Sequence, residues 1–308
     1  MIDRRDRHRH RIIIVVFDGP IQIDLCSIVV RRGARMSNDL IMTQPSTTAP
    51  TRLLQSDEVP PVHEQNADGS SALLFTCDHY GRLLPRALGD LGLPESELER
   101  HIAWDIGIAG VAEQVSRALD AHLLAQRYSR LVIDCNRSPK APNSIPMISE
   151  RTTIPGNEGL THEDAELRRR AIFDPYHDRI TAVLDARQAA GRPTILVSLH
   201  SFTPVYAGIA RPWHIGTLYQ HDKVLPPLLL KALRAEPDLV VGDNQPYAVG
   251  DNTDYTIPVH GEGRGLITSG IEIRQNEIAE PEGQTIWAER LIRILGEIEN
   301  ELRSRGLA

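Results

Sequence analysis

Polar side chains able to do chemistry stand at the ends of several short apolar runs of this chain. After Ala72-Leu73-Leu74-Phe75-Thr76-Cys77 come Asp78, His79 and Tyr80. Asn136 and Arg137 follow Leu131-Val132-Ile133-Asp134-Cys135, and His200 and Ser201 follow Thr194-Ile195-Leu196-Val197-Ser198-Leu199. Glu272 lies inside Ile271-Glu272-Ile273, with Arg274 next. Two histidines, an Asn-Arg pair and a carboxylate together outline a metal hydrolase: neutral imidazole suits zinc, and a catalytic zinc keeps about three protein ligands and one open position. His200 reads either as a ligand or as a hydrogen-bonded histidine at a strand end. Glu272 is expensive inside an apolar strand unless it is paired or functional, so it reads as a general base or as the partner of a core arginine. Arg274, two residues on, faces the same side and would hold that carboxylate or a substrate. The planar guanidinium of Arg137 can grip a carboxylate through two parallel bonds; the bland reading is a loop-fixing arginine. His260, in the Gly-rich Pro258-Val259-His260-Gly261-Glu262, would assist proton transfer or bind a side-chain carboxylate, with a surface histidine as the alternative. A Cys77/His79 pair suggests nucleophilic catalysis, but no third orienting group is evident, and a lone cysteine more often behaves as a small buried hydrophobe.

For these residues to meet, the apolar runs must be strands, because sites in open α/β sheets form outside the carboxyl ends of the strands. Ala72 to Cys77, Leu131 to Cys135, Thr194 to Leu199, Ile215 to Tyr219, Leu239 to Val241 and Ile271 to Ile273 all have the short, bounded, apolar form of buried parallel strands. Helices are expected between them. Ile108, Val111, Val115 and Leu119 recur at helical spacing within 106–119. Thr161 with Asp164 three residues on is a capping-box variant opening a long helix, kinked at Pro175 and ended by Gly191. Residues 225–233 and 287–302 are two more helices. The expected fold is α/β: a single domain over 70–305 with a mixed, mostly parallel sheet and helices on both faces.

The rest of the chain bounds the partners. It has 308 residues, with 34 Lys+Arg against 41 Asp+Glu, for a net charge of −7. An acidic balance without a basic stripe argues against nucleic acid, and no apolar run approaches the ~20 residues a membrane helix needs. Three cysteines, Cys26, Cys77 and Cys135, fit a reducing cytosol without disulfides, so the expected location is cytoplasmic and the expected partner a small molecule. Oligomeric state has no sequence signal. The basic start followed by Ile12 to Phe17 mimics a secretion signal, but the run is short and no cleavage pattern follows. Residues 37–70, rich in Ser, Thr, Pro, Gln and Asp, read as a disordered lead-in; residues 1–60 are taken as a poorly ordered extension, with Met36 or Met42 as candidate starts.

Five segments carry a resemblance: Thr76-Cys77-Asp78-His79, His101-Ile102-Ala103-Trp104-Asp105-Ile106-Gly107, Asp134-Cys135-Asn136-Arg137, Ser198-Leu199-His200-Ser201-Phe202-Thr203-Pro204 and Ile271-Glu272-Ile273-Arg274-Gln275. In this order, over 71–302, they resemble the N-formylglutamate amidohydrolase family and, more distantly, the zinc carboxypeptidases. The resemblance implies a zinc-carboxypeptidase-like fold and a Zn2+ cofactor with His79 and His200 as ligands. The carboxypeptidase pattern has Glu three residues after the first His, where this chain has Arg82; Asp105, within a family motif, is the expected third ligand, and Asp78 the fallback or a residue that orients a bound histidine. Glu272 takes the general-base role, and Asn136 with Arg137 anchors the substrate α-carboxylate. Arg127 or Arg130 would polarise the scissile carbonyl. The implied reaction converts N-formyl-L-glutamate to formate and L-glutamate, a step of histidine breakdown. Asp78-His79-Tyr80-Gly81 departs from the Pro-His-Ser-Gly of the family's glutamate-specific members, which leaves another N-acyl amino acid or peptide open; the missing His-x-x-Glu leaves a metal-free binding protein open.

Overall fold

A computed structural model describes residues 52–308 except Asn252. The central sheet has seven strands in the order β1-β3-β2-β6-β11-β9-β10. They are β1 (Val62–Gln65), β2 (Leu73–Cys77), β3 (His122–Gln126), β6 (Ile195–Phe202), β9 (Ile215–Leu218), β10 (Val241–Asp243) and β11 (Ile267–Arg274). The pairs β3–β2, β2–β6, β6–β11 and β9–β10 are parallel; β1–β3 and β11–β9 are antiparallel. Two short hairpins, β4 (Ile148–Ser149) with β5 (Thr152–Thr153) and β7 (Val205–Tyr206) with β8 (Ile209–Ala210), stand apart from the sheet.

Side chains alternate across each strand, and this splits the core into two layers. A short helix α1 (Glu95–Leu98) precedes the long ones. Leu73, Phe75 and Cys77 pack with Val197, Leu199, Ile271 and Ile273 against α2 (Ile108–Ala118), α5 (Leu225–Arg234) and α6 (Pro281–Ser304). Leu74, Leu124 and Leu196 face the other way, against α3 (His162–Arg168) and α4 (Asp174–Ala189). The expected helices form, including the Thr161/Asp164 capping box. The disturbance expected at Pro175 appears one turn earlier, as a π-helical turn over Arg169–Phe173. Proline there lacks the N–H that an α-helix needs and crowds the preceding turn. Among the described residues no helix is long and apolar enough to cross a membrane.

Two expectations about the strands need correction. Leu131 to Cys135 is buried but is not a strand. Side chains satisfy its backbone instead: Asn157 Nδ2 donates to Leu131 O at 2.8 Å and Arg168 Nη1 to Val132 O at 3.0 Å. A buried backbone needs partners, not specifically a ladder. The neighbouring strand is β3, which brings polar His122 and Gln126 into the interior. The second concerns the start of the domain. The expected extension over 1–60 falls mostly outside the described residues, but Leu53 is buried in the core and Val62–Gln65 forms the edge strand, ahead of the expected boundary at 70.

Candidate metal and amidohydrolase centre

β2, β6 and β11 are parallel neighbours, so their carboxyl-terminal residues come together. His79 lies two residues beyond β2, and Glu272 of β11 is paired in register with His200 of β6. Asp105 approaches from the loop before α2. That loop turns sharply because Gly107 adopts φ +79°; a Cβ there would lie 2.0 Å from Ile278 O. Glycine alone tolerates both the dihedral and the approach. Gly107 also takes the cap position, without a side-chain cap bond, so the carboxylate of Asp105 is not spent on capping the helix.

His79, Asp105 and His200 meet with ligand atoms all within 4.8 Å of one another. Asp105 Oδ2 lies 2.9 Å from His200 Nδ1 and 3.5 Å from His79 Nδ1. The far nitrogen of each ring is fixed by another carboxylate: His79 Nε2 is 2.7 Å from Asp134 Oδ1, and His200 Nε2 is 3.2 Å from Asp78 Oδ2. Metal-binding histidines characteristically carry such carboxylate partners, which set tautomer and ring orientation. Asp78 is itself held by Tyr176 Oη at 2.9 Å and Thr256 Oγ1 at 2.7 Å. It therefore sits behind His200, in the orienting position.

Two buried polar atoms here have no hydrogen-bond partner, His79 Nδ1 and Glu272 Oε2. An unsatisfied buried polar atom costs about 1–3 kcal/mol, and such atoms point to a missing ion or substrate. The donor set, two imidazoles and one carboxylate, is the three-ligand chemistry of catalytic zinc. The residues present thus fit the metal. Burial pushes the Glu272 carboxyl up to about 7, reinforced by the negative charge of Asp105 and opposed by His200 and His79. Burial would also raise Asp105, but the charges and hydrogen bonds of His79 and His200 outweigh it and hold Asp105 below the carboxylate range. Burial opposes charging of His200, and its hydrogen bonds to the accepting carboxylates of Asp105 and Asp78 reverse that and push it well up. Two adjacent carboxyl groups are thus pushed apart, one toward a base poised near neutrality and one fixed as an anion.

A cavity of about 370 Å³ opens onto this cluster, lined by Arg130, Asn136, Arg137 and Glu272 as well as the three ligand candidates. Arg130 donates to Asp134 at 2.7 Å and lies 3.5 Å from Asp105 Oδ1. Arg127 turns away, to Pro60 O and Val62 O, which separates two arginines that the sequence could not. The amide of Asn136 braces the far wall: its Oδ1 accepts from Tyr255 N and Thr256 N, and its Nδ2 donates to Asp254. Among the described residues the Arg137 side chain bonds only to the carbonyls of Asn136 and Thr253.

Two expected site residues are not brought to the cavity. Arg274 ends β11 and donates to Glu277 at 2.6 Å, with Pro212 O at 3.3 Å; it braces a loop and does not pair with Glu272. His260 lies buried in a π-helical turn over Ile257–Gly261, stacked on His177 with ring centres 5.1 Å apart. Same-side alternation puts residues on one face of a sheet but cannot say which partner captures a long side chain beyond the strand end. Cys77 is buried in the core, and burial drives its thiol well up, so it is no nucleophile. Asp134 was legible as part of a motif but not as the partner of His79. Tyr206 and Tyr247 also line the cavity, and nothing in their spacing signalled it.

A family model for N-formylglutamate amidohydrolase matches residues 71–279. The crystal structure of a gene product from Agrobacterium tumefaciens is 36% identical, covering 82% of this chain and 100% of that one, with a TM-score of 0.79. N-formylglutamate amidohydrolase from Ralstonia eutropha is 21% identical over 80% of this chain and 100% of that one, with a TM-score of 0.60, a likeness of fold. Among curated proteins none matches the sequence. With two thirds of its length under that family model, and the motif residues His79, Asp105, His200 and Glu272 gathered at one sheet edge, the chain belongs to the N-formylglutamate amidohydrolase family of hydrolases.

Proposed function

We propose that the protein is a zinc-dependent amidohydrolase that removes the formyl group of N-formyl-L-glutamate, releasing formate and L-glutamate, in the cytoplasm as a step of histidine breakdown. One observation carries the reading: two histidines, each with its far nitrogen on a carboxylate, face Asp105 beside a buried, unpartnered glutamate. His79 Nδ1, Asp105 Oδ2 and His200 Nδ1 would hold the ion. When bound, zinc supplies a Lewis acid and makes water acidic enough to yield hydroxide near neutral pH.

The chain's own residues do the rest. Arg137 holds the α-carboxylate through its fork of donors, and Asn136 keeps the facing loop in place. Glu272, poised near neutrality, takes the proton of the attacking water as its oxygen bonds to the formyl carbon. Arg130 faces the carbonyl oxygen, where negative charge develops, and stabilises it electrostatically. The C–N bond then breaks, and Glu272 returns the proton to the departing nitrogen. The second proton of the water passes to the amine as the acid ionises, so formate and the ammonium form of the product account for every atom of amide and water.

The test has two parts. Protein purified without chelators should carry about one zinc per chain and should release formate from N-formyl-L-glutamate. Glu272→Gln should keep the metal and lose turnover by about 10²–10⁴-fold, in kcat and not in KM. Metal-free protein that binds N-acyl amino acids without turnover would establish a binding protein instead. A variant retaining more than about a tenth of wild-type turnover would remove Glu272 from the base role.

A further inference from the structure

Arg130 and Arg137 line the cavity, and a third arginine, Arg211, is held against two tyrosines of its wall; the three differ in what they touch. Arg130 is already neutralised by Asp134 and Asp105. Among the described residues the Arg137 guanidinium bonds only to backbone carbonyls. Arg211 immediately follows the hairpin β7–β8, and its guanidinium is sandwiched between the rings of Tyr206 and Tyr247, 4.7 Å from each centre. Both rings line the cavity. One of its nitrogens donates to Tyr247 Oη at 2.8 Å, and among the described residues no carboxylate pairs with it.

This arrangement is built. Arg211 N closes the hairpin by donating to Pro204 O at 2.8 Å, and Ala207 N docks the hairpin tip on Glu150 at 3.0 Å. From below, Arg274, at the end of the strand that carries Glu272, reaches Arg211 O at 3.5 Å and Pro212 O at 3.3 Å. One donor of the guanidinium edge goes to Tyr247 Oη, and the other N–H groups of its planar fork are left for a carboxylate. The rings hold the fork in place, so little entropy is lost when it binds.

We propose that Arg211 is the specificity-determining residue that receives the side-chain carboxylate of an N-acylated dicarboxylic amino acid, while Arg137 receives the α-carboxylate. Among the described residues neither Arg137, in the cavity wall, nor Arg211, against two tyrosines of that wall, has a carboxylate partner, and two such cations match two carboxylates on one substrate. An N-acyl amino acid with a neutral side chain would leave Arg211 facing nothing of opposite charge. The inference rests on the amidohydrolase reading and adds to it the residue that reads the side chain.

The test compares zinc-loaded wild type, Arg211→Gln and Arg211→Lys on N-formyl-L-glutamate, N-formyl-L-glutamine and N-formyl-L-leucine. Wild type should prefer the glutamate derivative over its neutral isostere. Arg211→Gln should raise KM for N-formyl-L-glutamate by about 10- to 100-fold, the worth of one charge-assisted pair, and leave the glutamine derivative nearly unchanged. Arg211→Lys keeps the charge without the fork, so it should recover part of the loss; it carries the test alone if the glutamine variant does not fold. Equal KM changes for charged and neutral substrates, or a wild type that favours glutamine or leucine, would overturn the inference and leave the amidohydrolase reading intact. A wild type that turns over none of the three overturns that reading and the inference with it.

Discussion

Two pairs of buried histidines lie in this protein, and they have opposite characters. His79 and His200 sit with ring centres 5.1 Å apart, as do His177 and His260. The first pair is ringed by Asp78, Asp105 and Asp134. In the second, His177 Nδ1 and His260 Nε2 bond to each other at 2.9 Å, and His177 Nε2 donates to Cys135 O at 2.8 Å. Burial works against a charged imidazole in every case. For His200 the hydrogen bonds to Asp105 and Asp78 reverse it. For the second pair burial wins and pushes His177 down to about 4 and His260 to about 3, the latter helped by the neighbouring His177. Residue type and depth are the same; the carboxylates decide which pair collects positive charge and which packs as neutral rings.

The strongest way to break this comparison is to remove a ring from the first pair. His200→Ala should lose bound zinc and turnover together, since two remaining ligands are fewer than a catalytic site uses; metal analysis beside a formate-release assay reads both. Removing a carboxylate while keeping the ring is the milder version. Asp134→Asn should lower metal affinity or activity by about 10–100-fold, the usual effect of a partner behind a ligand, measured by competition with a chelator.

The second pair makes a prediction about pH. Its folded-state values lie below the ordinary histidine value, so the unfolded chain binds more protons there, and stability falls as pH drops from about 6.5 toward about 4. The loss should be on the order of 3 kcal/mol for the first ring that charges, seen as a falling urea midpoint across that window. A flat midpoint there would show that the rings are not held neutral. Smallest of all, His260→Phe keeps a stacked ring and leaves His177 Nδ1 unpaired. It should cost about 1–3 kcal/mol of stability and shallow the acid dependence, with kcat close to wild type. A collapse of kcat in that variant would tie the second pair to the chemistry and erase the contrast.

The strand pattern was readable because burial on both faces demands unbroken apolar runs, as in β2, β6, β9 and β11. It misled at Leu131 to Cys135, where Asn157 and Arg168 take the place of a ladder, and it passed over β3, whose His122 is buried but partnered by Glu64 at 2.7 Å. Apolarity reports burial, not the partner of the backbone.

For the site, the amino-acid sequence by itself determined the ingredients: His79, Asp105, His200, Glu272, Arg137 and the parallel strands whose ends must bring them together. Those follow from local pattern and from motif order, which a single chain carries. Tertiary structure alone decided which side chains face one another. It placed Asp134 behind His79, chose Arg130 over Arg127, drew Arg274 to Glu277 and His260 to His177, and stacked Arg211 between two tyrosines from separate loops. Long polar side chains go to whichever buried partner best satisfies their donors and charge. Those partners lie as far as 83 residues apart, as His260 does from His177, and no local spacing encodes them.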